Sequence, residues 1–121
     1  MQQKNTILFL MSSLRAGGGE RVMIMLANDL ANKGHTVDML VLRRVGEYTE
    51  HLDARVNVID LNAWRMIATL PQITRYMYRV RPSIAIATDE YTHLLLLAAN
   101  YISRSRTKIV LRIGNVFSEL Y

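Results

Sequence analysis

The chain has 121 residues, half of them hydrophobic, with fifteen Lys and Arg against ten Asp and Glu and a net charge of +5. That is the length of one domain with enough apolar content for a core, which excludes a disordered chain. The absence of cysteine excludes a disulfide framework, a cysteine-ligated zinc site and a thiol nucleophile, and is compatible with the cytosol.

Residues 5–11 predict the first strand: Ile7-Leu8-Phe9-Leu10-Met11 is a continuous apolar run bounded by polar residues, so both of its faces are expected to be buried. No signal peptide is expected ahead of it, and the longest apolar runs, such as 94–99, are too short to span a bilayer. Residues 12–19 read as a long loop closed by Gly17-Gly18-Gly19. A helix follows over 22–33, with Val22, Leu26 and Leu30 on one face and Met23 and Ala27 beside them. Glu20 in its first turn and Lys33 in its last suit its dipole, and Gly34 is a stop signal. Residues 37–42 are the second strand, completing a βαβ unit, which requires a parallel sheet and a right-handed crossover.

Residues 43–55 are polar and read as a surface loop; 56–61 alternate weakly and predict a third strand. A helix over 64–79 contains Pro71, which either kinks it or marks the first turn of a shorter helix beginning near Thr69. Arg81-Pro82 ends it. Residues 83–87 are a fourth strand, Thr88-Asp89-Glu90 a cap-like opening to a helix over 91–103, 104–107 a basic turn, and 108–113 a fifth strand broken by Gly114-Asn115. The alternation predicts an α/β fold, a doubly wound, Rossmann-like parallel sheet of strand order 3-2-1-4-5. Residues 116–121 read as the opening of another element, so the domain is expected to be truncated after the fifth strand or to leave an edge that another chain or domain covers.

In such a sheet ligands bind beyond the carboxyl ends of the strands where the winding reverses, here between the first and fourth strands. The loops after those strands and after the fifth are expected to gather Arg15, Gly17, Gly18, Gly19, Glu20, Thr88, Asp89, Glu90 and Asn115 at one cleft. Glycines admit close backbone approach, and a helix start offers free N–H groups, so the loop suits a phosphate or a sugar hydroxyl. A plain flexible turn fits the local pattern equally well. A dinucleotide fingerprint fails because Val22 stands at its last glycine and residues 12–16 separate strand from glycines; no phosphate-binding glycine-lysine-serine turn is present. Asp89 and Glu90 either complement a helix N-terminus or supply one contact to an acceptor hydroxyl as hydrogen-bond partner or base. His35, His51 and His93 show no metal-ligand spacing, so no metal is expected.

The segment from Trp64 carries Arg65, Arg75, Tyr76, Tyr78 and Arg79. Arg65, Thr69, Gln72, Arg75 or Tyr76, and Arg79 are expected along one helical face, with Ile67, Leu70, Ile73 and Met77 able to face the sheet. Arginines beside tryptophan and tyrosine suit an anionic membrane surface, or make an ordinary solvated face. No basic run interleaved with aromatics points to nucleic acid.

Leu14-Arg15-Ala16-Gly17-Gly18-Gly19-Glu20-Arg21-Val22, then Leu26-Ala27-Asn28-Asp29-Leu30, then Lys33-Gly34-His35-Thr36-Val37, resembles the N-terminal half of family-four glycosyltransferases of the GT-B fold. Arg81-Pro82-Ser83-Ile84 and the strand ending at Gly114-Asn115 fall where that family would have them. The resemblance implies transfer of a sugar from a nucleotide-sugar to a glycan or lipid-linked acceptor, with retention, without a metal or other cofactor, at a cleft between two Rossmann-like domains. This chain would be the acceptor-side domain, residues 1–121. Gly17, Gly18 and Gly19 would approach the donor phosphates or the transferred sugar, and Asp89 or Glu90 would lie near the acceptor. The donor-binding domain with its paired-glutamate motif is not in these residues, so the chain alone is expected to lack turnover. Members acting on lipid-linked acceptors use an arginine-rich second helix at the membrane, which implies a peripheral place at its inner face and a role in bacterial surface polysaccharide synthesis. A noncatalytic partner module of the same fold, such as one subunit of a split transferase, is the competing expectation.

Overall fold

The computed structural model describes residues 6–11, 18–42, 51–63, 65, 67–113 and 116–119. Its elements are β1 (Thr6–Met11), α1 (Gly18–Asn32), β2 (Thr36–Val41), β3 (Asn57–Asp60), a 3-10 turn (Ile67–Thr69) leading into α2 (Leu70–Val80), β4 (Ile84–Ala87), α3 (Glu90–Ser103), β5 (Lys108–Ile113) and β6 (Val116–Glu119). They form a single sheet of order β3-β2-β1-β4-β5-β6. The first five strands run parallel in the expected order, and β1 pairs on both edges, Phe9 opposite Met39 of β2 and Ile86 of β4.

The sheet does not end at β5. Val116–Glu119 pairs antiparallel with it, Arg112 opposite Phe117. A two-residue connection is too short for the crossover that a parallel neighbour needs, so the next strand can only return alongside β5.

Side chains of β1 alternate between two cores, as a pleated strand requires. Ile7, Phe9 and Met11 face Met23, Ile24, Ala27 and Ala31 of α1. Leu8 and Leu10 face Ile73 and Met77 of α2 and Leu95, Leu96 and Ala99 of α3. Each large side chain fully buried here contributes on the order of 1.5–3 kcal/mol, which makes β1 the strand the domain can least spare. The helices lie on opposite faces because the chain moves one way from β1 to β2 and the other way from β3 to β5, and right-handed crossovers then fall on opposite sides.

Two expectations are corrected and one alternative is decided. First, α1 begins at Gly18, so Gly18 and Gly19 join Glu20 in its first turn and are not loop. Its buried stripe is Met23, Ile24, Ala27 and Ala31, while Val22 is exposed. Second, of the two alternatives for Pro71 the shorter helix is the one formed, with Pro71 in its first turn, where the missing N–H costs nothing. Third, Thr69 is buried on the stripe that continues to Ile73 and Met77, and Arg65 lies outside the helix, so neither shares the face of Arg75 and Arg79. The stop at Gly34 holds: its φ is 94°, and the N–H of His35 reaches Leu30 O at 3.1 Å.

Candidate functional site

The winding reverses between β1 and β4, and the starts of α1 and α3 both open at the carboxyl edge there. The strand ladder continues past β1 and β2 at this edge, with Leu42 N donating to Met11 O at 3.0 Å. Thr88, the first residue after β4, donates its hydroxyl to Leu10 O at 3.4 Å and so ties the exit of β4 to the end of β1. Gly18 and Gly19 sit in the first turn of α1, whose leading N–H groups have no partner within the helix and carry the positive end of its dipole. Arg15, Gly17 and Asn115 lie outside the described residues, as does the side chain of Glu20.

Asp89 is the N-cap of α3. Its carboxylate accepts from Thr92 N at 2.8 Å, and the Thr92 hydroxyl oxygen accepts in return from Asp89 N at 3.1 Å. The same hydroxyl oxygen also accepts from Thr88 N at 3.1 Å. This closed box holds the loop after β4 in one shape and makes Asp89 the cap of α3. Glu90, one residue on, is exposed at the same edge and makes no side-chain hydrogen bond or ion pair with the described residues.

One turn further, His93 is buried, and its Nε2 has no hydrogen-bond partner among the described residues. Burial holds its pKa below the usual histidine value, so the ring is neutral at pH 7. The sequence places His93 on this helix without a task; its burial was not readable because it flanks the apolar stripe and does not lie in it.

A second polar cluster, missed from the sequence, lies under α2. Asp38 of β2 is buried and accepts from Tyr76 Oη at 2.5 Å and Asn57 Nδ2 at 3.0 Å. Burial, and then the Asp38 carboxylate beside it, hold the Tyr76 phenol well above its ordinary pKa. Its one sequence signal was a lone acid in Val37-Asp38-Met39-Leu40-Val41, a run otherwise apolar. Asp38 lies in the first half of β2, away from the carboxyl edge, so the cluster fastens α2 to the sheet.

Arg75 and Arg79 are exposed on α2, where they line a groove of about 580 Å³ with Tyr76, Ile59 and Leu61. Arg65 is exposed but off the helix, and Trp64 lies outside the described residues. No helix among the described residues is long and apolar enough to cross a membrane, and no three His, Asp or Glu side chains among them converge as a metal site would.

Residues 16–113 match the model of Glycosyltransferase Family 4. The chain belongs to that family. The solved structure of the lipopolysaccharide outer core galactosyltransferase WaaB in its apo form superposes with a TM-score of 0.70 at 15% identity, covering 88% of this chain and 32% of that one. Anabaena Alr3699/HepE, solved in complex with UDP and glucose, superposes with a TM-score of 0.60 at 18% identity, covering 85% of this chain and 28% of that one. No curated protein sequence matches the chain. The family-four chain thus spans about a third of the length of the structures it superposes on, and its fold is that of the N-terminal domain of a GT-B glycosyltransferase.

Proposed function

We propose that this family-four domain is the acceptor-side half of a retaining glycosyltransferase that moves a sugar from a nucleotide-sugar to a glycan or lipid-linked acceptor without a bound metal, in bacterial surface polysaccharide synthesis. The observation that carries the reading is the edge at the winding reversal. Two helix starts open there, and Thr88 pins the loop after β4 to the end of β1. Amides at the start of α1, beginning with Gly18 and Gly19, are placed to meet donor phosphates or the transferred sugar, with Gly17, Arg15 and Asn115 as further contacts. Asp89 shapes the loop. Glu90 is the acid left to accept a hydrogen bond from an acceptor hydroxyl. Arg75 and Arg79 of α2 supply the face for an anionic membrane that holds a lipid-linked acceptor at its inner face, with Arg65, off that face, and Trp64 as further candidate contacts. Donor binding and turnover then require a second domain, whether in the same protein or a partner.

The test is amide-resolved NMR on the chain during titration with UDP-, GDP- and ADP-sugars and with glycan acceptors, alongside a transfer assay. Shifts are expected at residues 18–22 and 88–93, with no transfer by the chain alone. Shifts confined to the opposite edge of the sheet would remove the site. Transfer by the isolated chain would remove the need for a second domain.

A further inference from the structure

The outward side of α3 is apolar. Between Glu90 and Arg104 the helix carries no Asp, Glu, Lys or Arg, whereas a surface helix ordinarily sets charged residues opposite its buried stripe. That stripe is Thr92, Leu95, Leu96, Ala99 and Ser103. Turned away from it, Tyr91, Leu94, Tyr101 and Ile102 are 69%, 62%, 85% and 57% exposed. With half-buried Ala98, they put apolar groups at 91, 94, 98 and 101, the three-four spacing of a helix-pairing seam. The seam leans toward α2, because Ile102 lines a groove of about 460 Å³ with Leu70, Pro71 and Tyr78 of that helix. The other flank of α3 faces β5, where the Asn100 side chain holds the Thr107 backbone at 2.9 and 3.0 Å. A further helix laid over β5 or β6 would therefore cover the flank of Asn100 and leave the seam in water.

Reversed, the seam is complementary to itself. Two copies of α3 related by a two-fold axis beside Leu96 set Tyr91 opposite Tyr101 and Leu94 opposite Ala98. Each leucine fills the space left by the alanine it faces, and each tyrosine meets another ring. Charge favours the same order. Arg104, Arg106 and Lys108 follow the end of α3, and Arg81 joins them through its Nη1 to Arg104 O at 3.5 Å. That end is net positive even with Glu119, which β6 places opposite Val110. Asp89 and Glu90 stand at the start of the helix. Reversal puts the basic end of each copy against the acidic start of the other, and a parallel pair would put like against like. Arg104 lies roughly 3 Å along the axis from the position opposite Glu90, within its reach across helices packed about 8–10 Å apart. A carboxylate accepts on both oxygens, so Glu90 can meet that guanidinium and an acceptor hydroxyl together.

We propose that the outward face of α3 pairs two copies of this chain as an antiparallel, two-fold dimer. The four exposed side chains offer on the order of 500 Å² per copy, against about 800 Å² in a standard interface, so the dimer is a weak one, with a dissociation constant on the order of 10 μM. Sedimentation equilibrium of the chain from about 1 μM to about 300 μM brackets that value. The mass is expected to rise from that of one chain toward that of two. Leu94→Glu should weaken association about tenfold or more and, because Leu94 already stands in solvent, leave Tm within about 2 °C. Cysteines report the register, since the chain has none of its own. Tyr91→Cys mixed with Tyr101→Cys should be joined by a short bismaleimide, whereas neither variant should be joined to itself, like positions lying roughly 15 Å apart along the axis. Cross-linking of like with like overturns the two-fold order. Association unchanged in Leu94→Glu overturns the choice of face. The mass of one chain throughout overturns the dimer and leaves the seam to a different protein.

Discussion

Replacing Tyr76 with Phe removes one oxygen and leaves the ring that packs beside the second core. The oxygen matters because Asp38, only 8% exposed, takes one of its two described hydrogen bonds from it, at 2.5 Å, the other coming from Asn57. A hydrogen bond to a charged group is worth about 1.5–3 kcal/mol, and since Tyr76 is only partly buried the lower half of that range applies, about 2 kcal/mol. Unfolding entropy near 2.1 cal/mol/K per residue gives on the order of 0.25 kcal/mol/K for a chain of this length, so Tyr76→Phe should lower Tm by about 8 °C. Calorimetry or circular dichroism reads this directly, and a cycle with Asp38→Asn should return a coupling of about 1 kcal/mol or more. The phenol's raised pKa predicts a second signature. Its stabilisation is present below the ordinary tyrosine pKa of about 10 and is lost as pH rises toward the folded value, so Tyr76 should stay protonated when exposed tyrosines ionise. A Tm within a degree or two of the parent would refute the reasoning, because Asp38 would then be satisfied without the phenol.

The other predictions concern single devices. Asp89→Ala should cost about 1 kcal/mol and about 4 °C in Tm through loss of the cap, whereas Asp89→Asn should keep the cap and, in the proposed two-domain transferase, sugar transfer; loss of transfer in Asp89→Asn would make the carboxylate a participant in the chemistry. His93 has its pKa depressed by burial, so its contribution is present above the unfolded value of about 6.5 and lost as pH falls; thermal melts from pH 7 to 5 should show this decline, flattened in His93→Leu. Asn28 holds the 51–53 segment with two bonds of 2.8 Å, to His51 O and from Asp53 N, so Asn28→Ala should speed amide exchange at 51–55 and spare β1. Uniform exchange across both regions would show that the clamp is not local.

The strand order was legible because four of the first five strands are short, mostly apolar runs bounded by breakers, the third alternates, and the helical runs after the first, third and fourth leave little freedom in how they connect. The start of α1 was not: a glycine run reads as loop by propensity, and only the geometry after β1 reveals that Gly18 and Gly19 are already helical. Thr69 was misplaced for the same reason, since a polar residue ahead of a proline carries no local mark of burial. The place of Thr88 and the acidic pair at the carboxyl edge, beside the end of β1, followed from topology alone. What separates Asp89 from Glu90 is whether a side chain turns back to its own helix, and adjacent residues of one charge give no sequence sign of that. The Tyr76–Asp38 contact joins residues 38 positions apart, beyond the reach of any local pattern.

The placement of β1 between β2 and β4 also has a consequence for synthesis on the ribosome. One edge of β1 can be covered as soon as β2 emerges, but the other waits for a partner that arrives much later, 78 positions separating Leu10 from Thr88. At about 5–20 residues per second that is an interval of roughly 4–16 s. Throughout it, the most apolar strand in the chain presents an open row of N–H and C=O groups flanked by Leu8 and Leu10, which have no α2 or α3 to cover them. The nascent chain is therefore most prone to aggregate at β1, near its N-terminus, and slower codons between β2 and β4 would lengthen that exposure without changing one residue of the finished protein.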